Sequence, residues 1–436
     1  MFKIFVTYVL LSTLTLDPKN PRTHSPRQIR QISRSLQTFG FIVPILVDAA
    51  YRIIAGHGRY LAAQLLRLSE VPIIKIEHLS LAQQRAFQIA DNALTENSDW
   101  SKVQLGLNLK ELSVENLDLL AVTGLDVSVM DLAIQSLEEA RCSDDPADRI
   151  LETPAQIPVS KPEDIWSVGN HRLMVGDARN HGHLRRLMDK RKARMSFLDV
   201  PYNVPIAGHV SGNGRVKHRE FQMAAGEMSF DEYRAFLMDG FSSIAAYSLD
   251  GSLHYICIDP QHVADVTAAG SAVFDCLKTT CVWVKDNAGM GSMYRSQHET
   301  VLVFKNGTAP HVNNIELGRH GRSRTTVWNY PGMNSFAGRN TEEGNLHTLH
   351  PTVKPVQLVA DAILDCTSRG DGVIDTFLGS GTTLIAAERV GRVCYGLEID
   401  PLYIDVAIRR WQRHTGGHAI NAVSGQRFDD TGGGNG

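Results

Sequence analysis

Residues 372–400, GVIDTFLGSGTTLIAAERVGRVCYGLEID, leave this chain few ways to fold. Val373 and Ile374 are strand formers that run into Asp375, and Gly379 and Gly381 then let the backbone turn tightly. TTLIAAERV opens a helix whose amino end faces whatever the loop binds, and Arg392–Leu397 forms a second strand ending in Glu398. Strand, glycine turn, helix and strand predict a Rossmann-like unit in an open α/β sheet. Glu398 follows Gly381 by 17 residues, close to the spacing of an acid that binds ribose hydroxyls.

The loop also says which nucleotides fit poorly. A dinucleotide fingerprint needs Gly or Ala three residues after Gly381, where Leu384 stands, and a phosphate-cradling loop needs GK followed by Ser or Thr, which is absent. S-adenosylmethionine has an adenosine and no phosphate, so it needs only the acid and the close backbone approach. A glycine turn without a ligand is the plainer alternative.

The rest of the carboxyl-terminal half alternates β runs (HRLMVGD, MSFLDV, SLHYICI, TCVWVK, TVLVFK) with helical stretches, as an open sheet flanked by helices would. Ahead of it, 141–163 is polar, holds Pro146, Pro154, Pro158 and Pro162, and lacks an apolar period. We therefore expect domains at 1–135 and 165–420, a linker at 136–164 and a disordered tail at 421–436. With 436 residues, 43% of them hydrophobic, the chain can bury two such cores.

Two further stretches bear on chemistry. In SFLDVPYNVP, 196–205, an apolar run ends on Asp199, followed by Val200, Pro201 and Tyr202. The stretch could be an active-site strip built to hold a planar base, or it could form a plain strand-end turn. In HPTVKP, 350–355, His350 and Lys354 could face the methionine carboxylate of such a cofactor or cap the helix that begins at Pro355.

DTFLGSGTT with GLEID is similar to the cofactor motif of amino-group DNA methyltransferases, HPTVKP to the motif that precedes it, and SFLDVPYN to the family's Asp-Pro-Pro-Tyr strip. The strip comes first and the cofactor motif follows, which is the family's beta-type, permuted order. The resemblance implies a Rossmann-like domain with a mixed, mostly parallel sheet that uses S-adenosylmethionine and no metal. It assigns catalysis to Asp199, Val200, Pro201 and Tyr202, and cofactor binding to Asp177, His350, Thr352, Lys354, Asp375, Phe377, Gly379, Ser380, Gly381, Thr382 and Glu398. Val200 and Thr376 stand where the family has Pro, so the fixed φ that holds the carbonyl at 200 is lost. Asp199, where cytosine-N4 enzymes of this order commonly have Ser, implies adenine N6 as the target, flipped from the duplex and methylated by direct displacement.

Loop-rich sequence between the motifs, about 205–345, falls where the family places target recognition. Its candidate DNA contacts are Arg215, Lys217, His218, Arg295, Arg319, Arg322 and Arg324, the last three near Trp328 and Tyr330; a solvated basic loop is the alternative. A further basic run, RRLMDKRKAR, spans 185–194.

RIIAGHGRYLAAQLL, 52–66, places Gly56, His57, Gly58 and Arg59 between a strand and a helix. With PKNPRTHS and IADNAL around it, it resembles the amino-terminal α+β domain of ParB partition proteins, whose loop binds nucleotide phosphates. A structural or DNA-positioning role is as compatible with these residues.

Double-stranded DNA is the expected partner, and a homodimer is left open. A net charge of −3 neither supports nor opposes DNA, and six cysteines without a CxxC pair argue against a zinc site or disulfide framework. MFKIFVTYVLLSTLTL has one Lys and no small-residue cleavage site, so we read a strand rather than a signal, and expect a cytoplasmic, nucleoid-associated protein, an orphan or restriction-modification methylase. Three alternatives remain: cytosine-N4 methylation, a non-catalytic DNA-binding protein, and an RNA amino-methyltransferase.

Overall fold

The structure is a computed structural model that describes residues 4–97, 100–139, 157–203, 226–286, 288, 294–315, 324–332 and 354–431. It divides into two units, Met1–Arg141 and Cys142–Gly436. No described helix is long and apolar enough to cross a membrane.

The first unit begins with strand β1 (Val6–Leu10), as its β-branched and aromatic residues predict. Helix α1 (Pro26–Phe39) starts where Ser25 accepts the Gln28 N–H and Pro26 occupies the first turn. Strands β2 (Ile45–Val47) and β3 (Ile53–Ala55), helix α2 (His57–Leu65) and strand β4 (Glu70–Lys75) follow. The four strands pair in the order β1-β4-β2-β3 over a core of Ile45, Val47, Ile53, Ala63, Val71 and Ile73. Helix α3 (Leu81–Glu96) opens on a Ser80/Gln83 capping box. Helices α4 (Lys102–Glu115), α5 (Leu117–Val122) and α6 (Val127–Glu139) close a small core of their own around Leu109, Leu120 and Met130.

The second unit holds strands β5 (Ile165–Val168), β6 (His171–Val175), β7 (Ala193–Asp199), β8 (Ser248–Ile258), β9 (Cys276–Val284), β10 (His298–Asn306), β11 (Val327–Asn329), β12 (Gly372–Asp375), β13 (Val393–Glu398) and β14 (Ala419–Asn421). Its helices are α7 (His181–Met188), α8 (Phe230–Ala246), α9 (Val263–Val273), α10 (Val356–Cys366), α11 (Thr382–Val390), α12 (Pro401–Thr415) and α13 (Phe428–Thr431). The strands form one sheet in the order β11-β9-β10-β8-β7-β12-β13-β6-β5-β14. From β8 to β6 all neighbours are parallel, and the flanks are mostly antiparallel.

Helices cover both faces, which is why β7 reads as a continuous apolar run. Met195 and Phe197 point into the core beneath α10–α12, while Ala193, Leu198 and Val200 point into the core beneath α7–α9. In the chain β7 precedes β12 by many residues, yet the two are hydrogen-bonded neighbours through Val373 with Met195 and Ile374 with Ser196. The permuted order thus restores one contiguous strand-end edge.

Three expectations need correction. The tail at 421–436 is not wholly disordered: Phe428 is buried, meets Trp166 edge to face at 5.3 Å, and starts α13. The end of the expected 136–164 linker is docked, because the N–H groups of Val159 and Ser160 donate to the buried Asp405 carboxylate at 2.7 and 3.0 Å. Finally, 205–345 is not wholly given over to target recognition, since β8, β9, β10 and β11 within it are four of the ten strands of the sheet.

Candidate active site at the strand ends

Four acids end up side by side because the parallel strands β6, β13, β12 and β7 all terminate at one edge. They are Asp177 beyond β6, Glu398 on β13, Asp375 on β12 and Asp199 on β7. Ligands of open α/β sheets bind at this edge.

Backbone donors fix Glu398: Gly379 N–H reaches Oε2 at 2.9 Å and Asp400 N–H reaches Oε1 at 3.1 Å. Burial nonetheless lifts its carboxyl above the usual range. Asp375 accepts the Phe377 N–H at 3.0 Å, and burial pushes it up to about 7, with Asp199 and Glu398 adding like charge. Burial also acts to raise Asp177, but its fork-like pairing with Arg179, 2.7 Å at the shortest, overcomes this and lowers it.

The glycine loop turns at positive φ, +50° at Gly379 and +85° at Gly381. At Gly381 the tight approach is to α12 rather than to an open cleft, because an added Cβ would lie 2.8 Å from the Ala407 Cβ. Arg410, also on α12, supports the loop from behind through the Ser380 carbonyl at 3.2 Å and the Thr382 hydroxyl at 3.3 Å. Phe377 packs at a tilt on Phe236, with centroids 6.2 Å apart. The neighbouring Thr376 hydroxyl is buried with no hydrogen-bond partner among the described residues.

Next to this cradle, the strip after β7 is held tightly without a proline at 200. Val200 is buried in the core, and the Pro201 carbonyl accepts the Tyr233 hydroxyl at 2.8 Å. Asn203, at φ +53°, accepts N–H groups from Gly226 and Met228 and donates to the Met228 carbonyl. Packing and these anchors take over part of what a rigid φ at 200 would supply.

Lys354 does not cap α10: its Nζ is 2.7 Å from Asp199 Oδ1 and 3.0 Å from Glu299 Oε2. Burial disfavours the ammonium, but the two carboxylates outweigh it and raise it above its ordinary range. Asp199 is drawn both ways, since burial lifts its carboxyl, Lys354 lowers it and Glu299 pushes it back, leaving it above the usual aspartate value. Glu299 and Lys285, 2.6 Å apart, were not singled out in the sequence. The HE pair opening β10 carries no motif that distinguishes a buried acid from an exposed one.

Among the DNA candidates, Arg324 is corrected. Its guanidinium turns inward to Asp365 at 3.1 Å, Asp361 at 3.6 Å and the Tyr330 hydroxyl at 2.7 Å, so it fixes β11 to α10. Arg295 donates to the Ala288 carbonyl at 2.7 Å. Arg215, Lys217, His218, Arg319, Arg322, His350 and Thr352 lie outside the described residues. The run at 185–194 sits at the amino end of β7, opposite Asp199, with Arg186 paired to Glu163 and Arg194 near Asp371.

In the first unit, Gly56 at φ +105° caps α2. His57 Nε2 and Arg59 Nε are buried and without a hydrogen-bond partner among the described residues. Burial lowers the pKa of both side chains.

Comparison with known proteins finds the DNA methylase family profile (N6_N4_Mtase) matching residues 193–409 and the ParB N-terminal domain profile matching residues 4–93. The ParB-like nuclease domain-containing protein YnaK of Escherichia coli K12 is 39% identical over 83 residues, 19% of this chain and 95% of that protein. The type II methyltransferase M.ScaI of Streptomyces caespitosus is 37% identical over 90 residues, 21% of this chain, so the chain spans only 29% of its length. Among solved structures, the cytosine-N4-specific PvuII DNA methyltransferase aligns over 64% of this chain and 95% of its own, at 16% identity and a TM-score of 0.41.

Proposed function

The chain belongs to the DNA methylase family through residues 193–409 and carries a ParB N-terminal domain at residues 4–93, and from that premise we propose that it methylates adenine N6 in duplex DNA, using S-adenosylmethionine. The observation that supports this reading is the adjacency of β7 and β12, which brings Asp199, the proposed amine acceptor, beside the glycine loop.

The acids of that cradle suit this cofactor. Asp375, Asp177 and Glu398 favour a ligand with a cationic centre and a ribose diol, and they would repel a pyrophosphate. Glu398 uses one lone pair on each oxygen for backbone N–H groups and retains acceptor capacity for hydroxyls. When bound, S-adenosylmethionine supplies an electrophilic methyl on a positively charged sulfur.

An exocyclic amine is a poor nucleophile because its lone pair is delocalised into the base. Asp199 accepts one N–H and the Val200 carbonyl the other, which localises that pair on nitrogen; the methyl's bond to sulfur would break as the N–C bond forms, and the surplus amine proton would pass to solvent. The Tyr202 ring offers a face to a base swung out of the duplex. Arg319 and Arg322 remain proposed phosphate contacts, and Gly56–Arg59 a proposed phosphate loop whose two orphaned nitrogens are suited to anionic oxygens.

Labelled methyl transfer to duplex DNA or RNA, followed by nucleoside analysis, tests the reading. N6-methyladenine is expected, N4-methylcytosine would change the target base, and no transfer would leave a DNA-binding protein. Asp199→Ala should still bind the cofactor in calorimetry yet lose turnover, because the acceptor acts in the transition state. A fully active Asp199→Ala protein would remove Asp199 from catalysis.

A further inference from the structure

Glu299 takes no part in the chemistry above, yet it touches both groups that hold Asp199 Oδ1, Lys354 and Tyr202. It is 6% exposed on β10, an internal strand. Its Oε1 accepts Lys285 Nζ at 2.6 Å, and its Oε2 lies 3.0 Å from Lys354 Nζ and 3.0 Å from the Tyr202 hydroxyl. Lys354 Nζ and that same hydroxyl meet Asp199 Oδ1 at 2.7 and 3.0 Å. Asp199, Lys354, Glu299 and Tyr202 therefore close a ring, with Lys285 outside it.

The ring has a charge logic. Two lysines balance two carboxylates, so a substitution at either end unbalances Asp199. Lys354 alone on Asp199 would neutralise the acceptor that the amine needs, whereas shared with Glu299 it does so only in part. Tyr202 has one hydroxyl proton for two carboxylates, and donating it to Glu299 leaves Asp199 with spare lone pairs.

We propose that Glu299 is a positioning residue for methyl transfer: it shares Lys354 and draws the Tyr202 hydroxyl toward itself, keeping Asp199 an unsaturated acceptor for the target amine. This rests on the reading of Asp199 as the amine acceptor.

A purely structural Glu299 would only neutralise lysines, and the pH profile separates the two roles. The groups facing Asp199 are Lys354, Glu299 and Tyr202, Cys257 opposite it on β8, and Asp375 on β12. Burial keeps the Cys257 thiol neutral, and Asp375 is common to every protein compared. Removing the negative charge of Glu299 lowers the Asp199 pKa, so activity persists to lower pH. Removing the positive charge of Lys285 raises it, so activity fails at higher pH.

The experiment measures labelled methyl transfer to duplex DNA at saturating cofactor, across about pH 5 to 9, for full-length wild type, Glu299→Gln and Lys285→Gln. Glu299→Gln should lose on the order of tenfold in kcat with cofactor Kd unchanged, and its acid limb should move to lower pH. Lys285→Gln should move the limb to higher pH. An unmoved limb with wild-type kcat in Glu299→Gln, or both limbs moving the same way, overturns the proposal. Should Glu299→Gln fail to bind cofactor and so prove misfolded, Lys285→Gln decides alone, because that side chain is 28% exposed and its loss is tolerable. A wild type that binds cofactor but methylates no DNA overturns the amine-acceptor reading and this proposal with it. A methylating wild type with an unmoved Glu299→Gln limb overturns this proposal only.

Discussion

Asp375 ends β12 with its carboxyl raised from 3.8 to about 7, because burial between Asp199 and Glu398 disfavours the charged form. An acid with a raised folded pKa binds its proton more tightly folded than unfolded, so stability falls as pH climbs from about 4 to about 7 and stays low above. The gap corresponds to roughly 4 kcal/mol at most. Asparagine keeps the acceptor for the Phe377 N–H but carries no charge. Asp375→Asn should therefore raise the thermal midpoint at pH 8, and the gain should shrink toward pH 4; an equal gain at both pH values would place the charge elsewhere. The same variant should bind the cationic cofactor more weakly, a stability–function trade at one residue. Glu299 is the opposite case: burial would raise it, but Lys354 and Lys285 outweigh burial and hold it at about 2. Its contribution is present above its ordinary value and is lost only as pH falls toward about 2.

At the scale of elements, helix ends show which glycines the fold requires. Gly381 begins α11 and Gly416 ends α12, at φ +85° and +75°. Both conformations penalise an L side chain, but their surroundings differ. A Cβ at Gly381 would meet the Ala407 Cβ at 2.8 Å, while at Gly416 nothing lies within 4 Å. Gly416→Ala should cost about 1 kcal/mol, the backbone penalty alone. Gly381→Ala adds overpacking and should cost about 2–4 kcal/mol. Urea unfolding at constant slope measures both. Equal costs would mean that α11 and α12 separate freely, and the support that Arg410 gives the loop would then be unimportant.

At the scale of the whole molecule, legibility followed how local the signal was. The β12–α11–β13 unit could be read because glycines, a helix start and a terminal acid lie within one short stretch. Strand runs such as those of β6, β7 and β10 were legible because burial on both faces makes them continuously apolar. Glu299 and Arg324 were not, since their partners are brought together only by the sheet and its helices: Lys354 lies 55 positions beyond Glu299, and Asp365 lies 41 beyond Arg324. The ends of the second unit escaped for the same reason. Asp405 is fully buried and holds the Val159 and Ser160 N–H groups, while β14 pairs with β5 and Phe428 packs on Trp166. A polar, proline-rich entry and a glycine-ended exit look dispensable until those contacts are seen. Fragments beginning at 157 and at 165, both ending at 436, should therefore differ. The shorter leaves a buried carboxylate without two donors and should be less stable by about 1–3 kcal/mol. Phe428→Ala in the longer fragment should cost about 3–5 kcal/mol through the cavity it leaves beside Trp166. Matching urea midpoints for all three would show that the second unit ends where sequence composition alone places its limits, at 165 and 420.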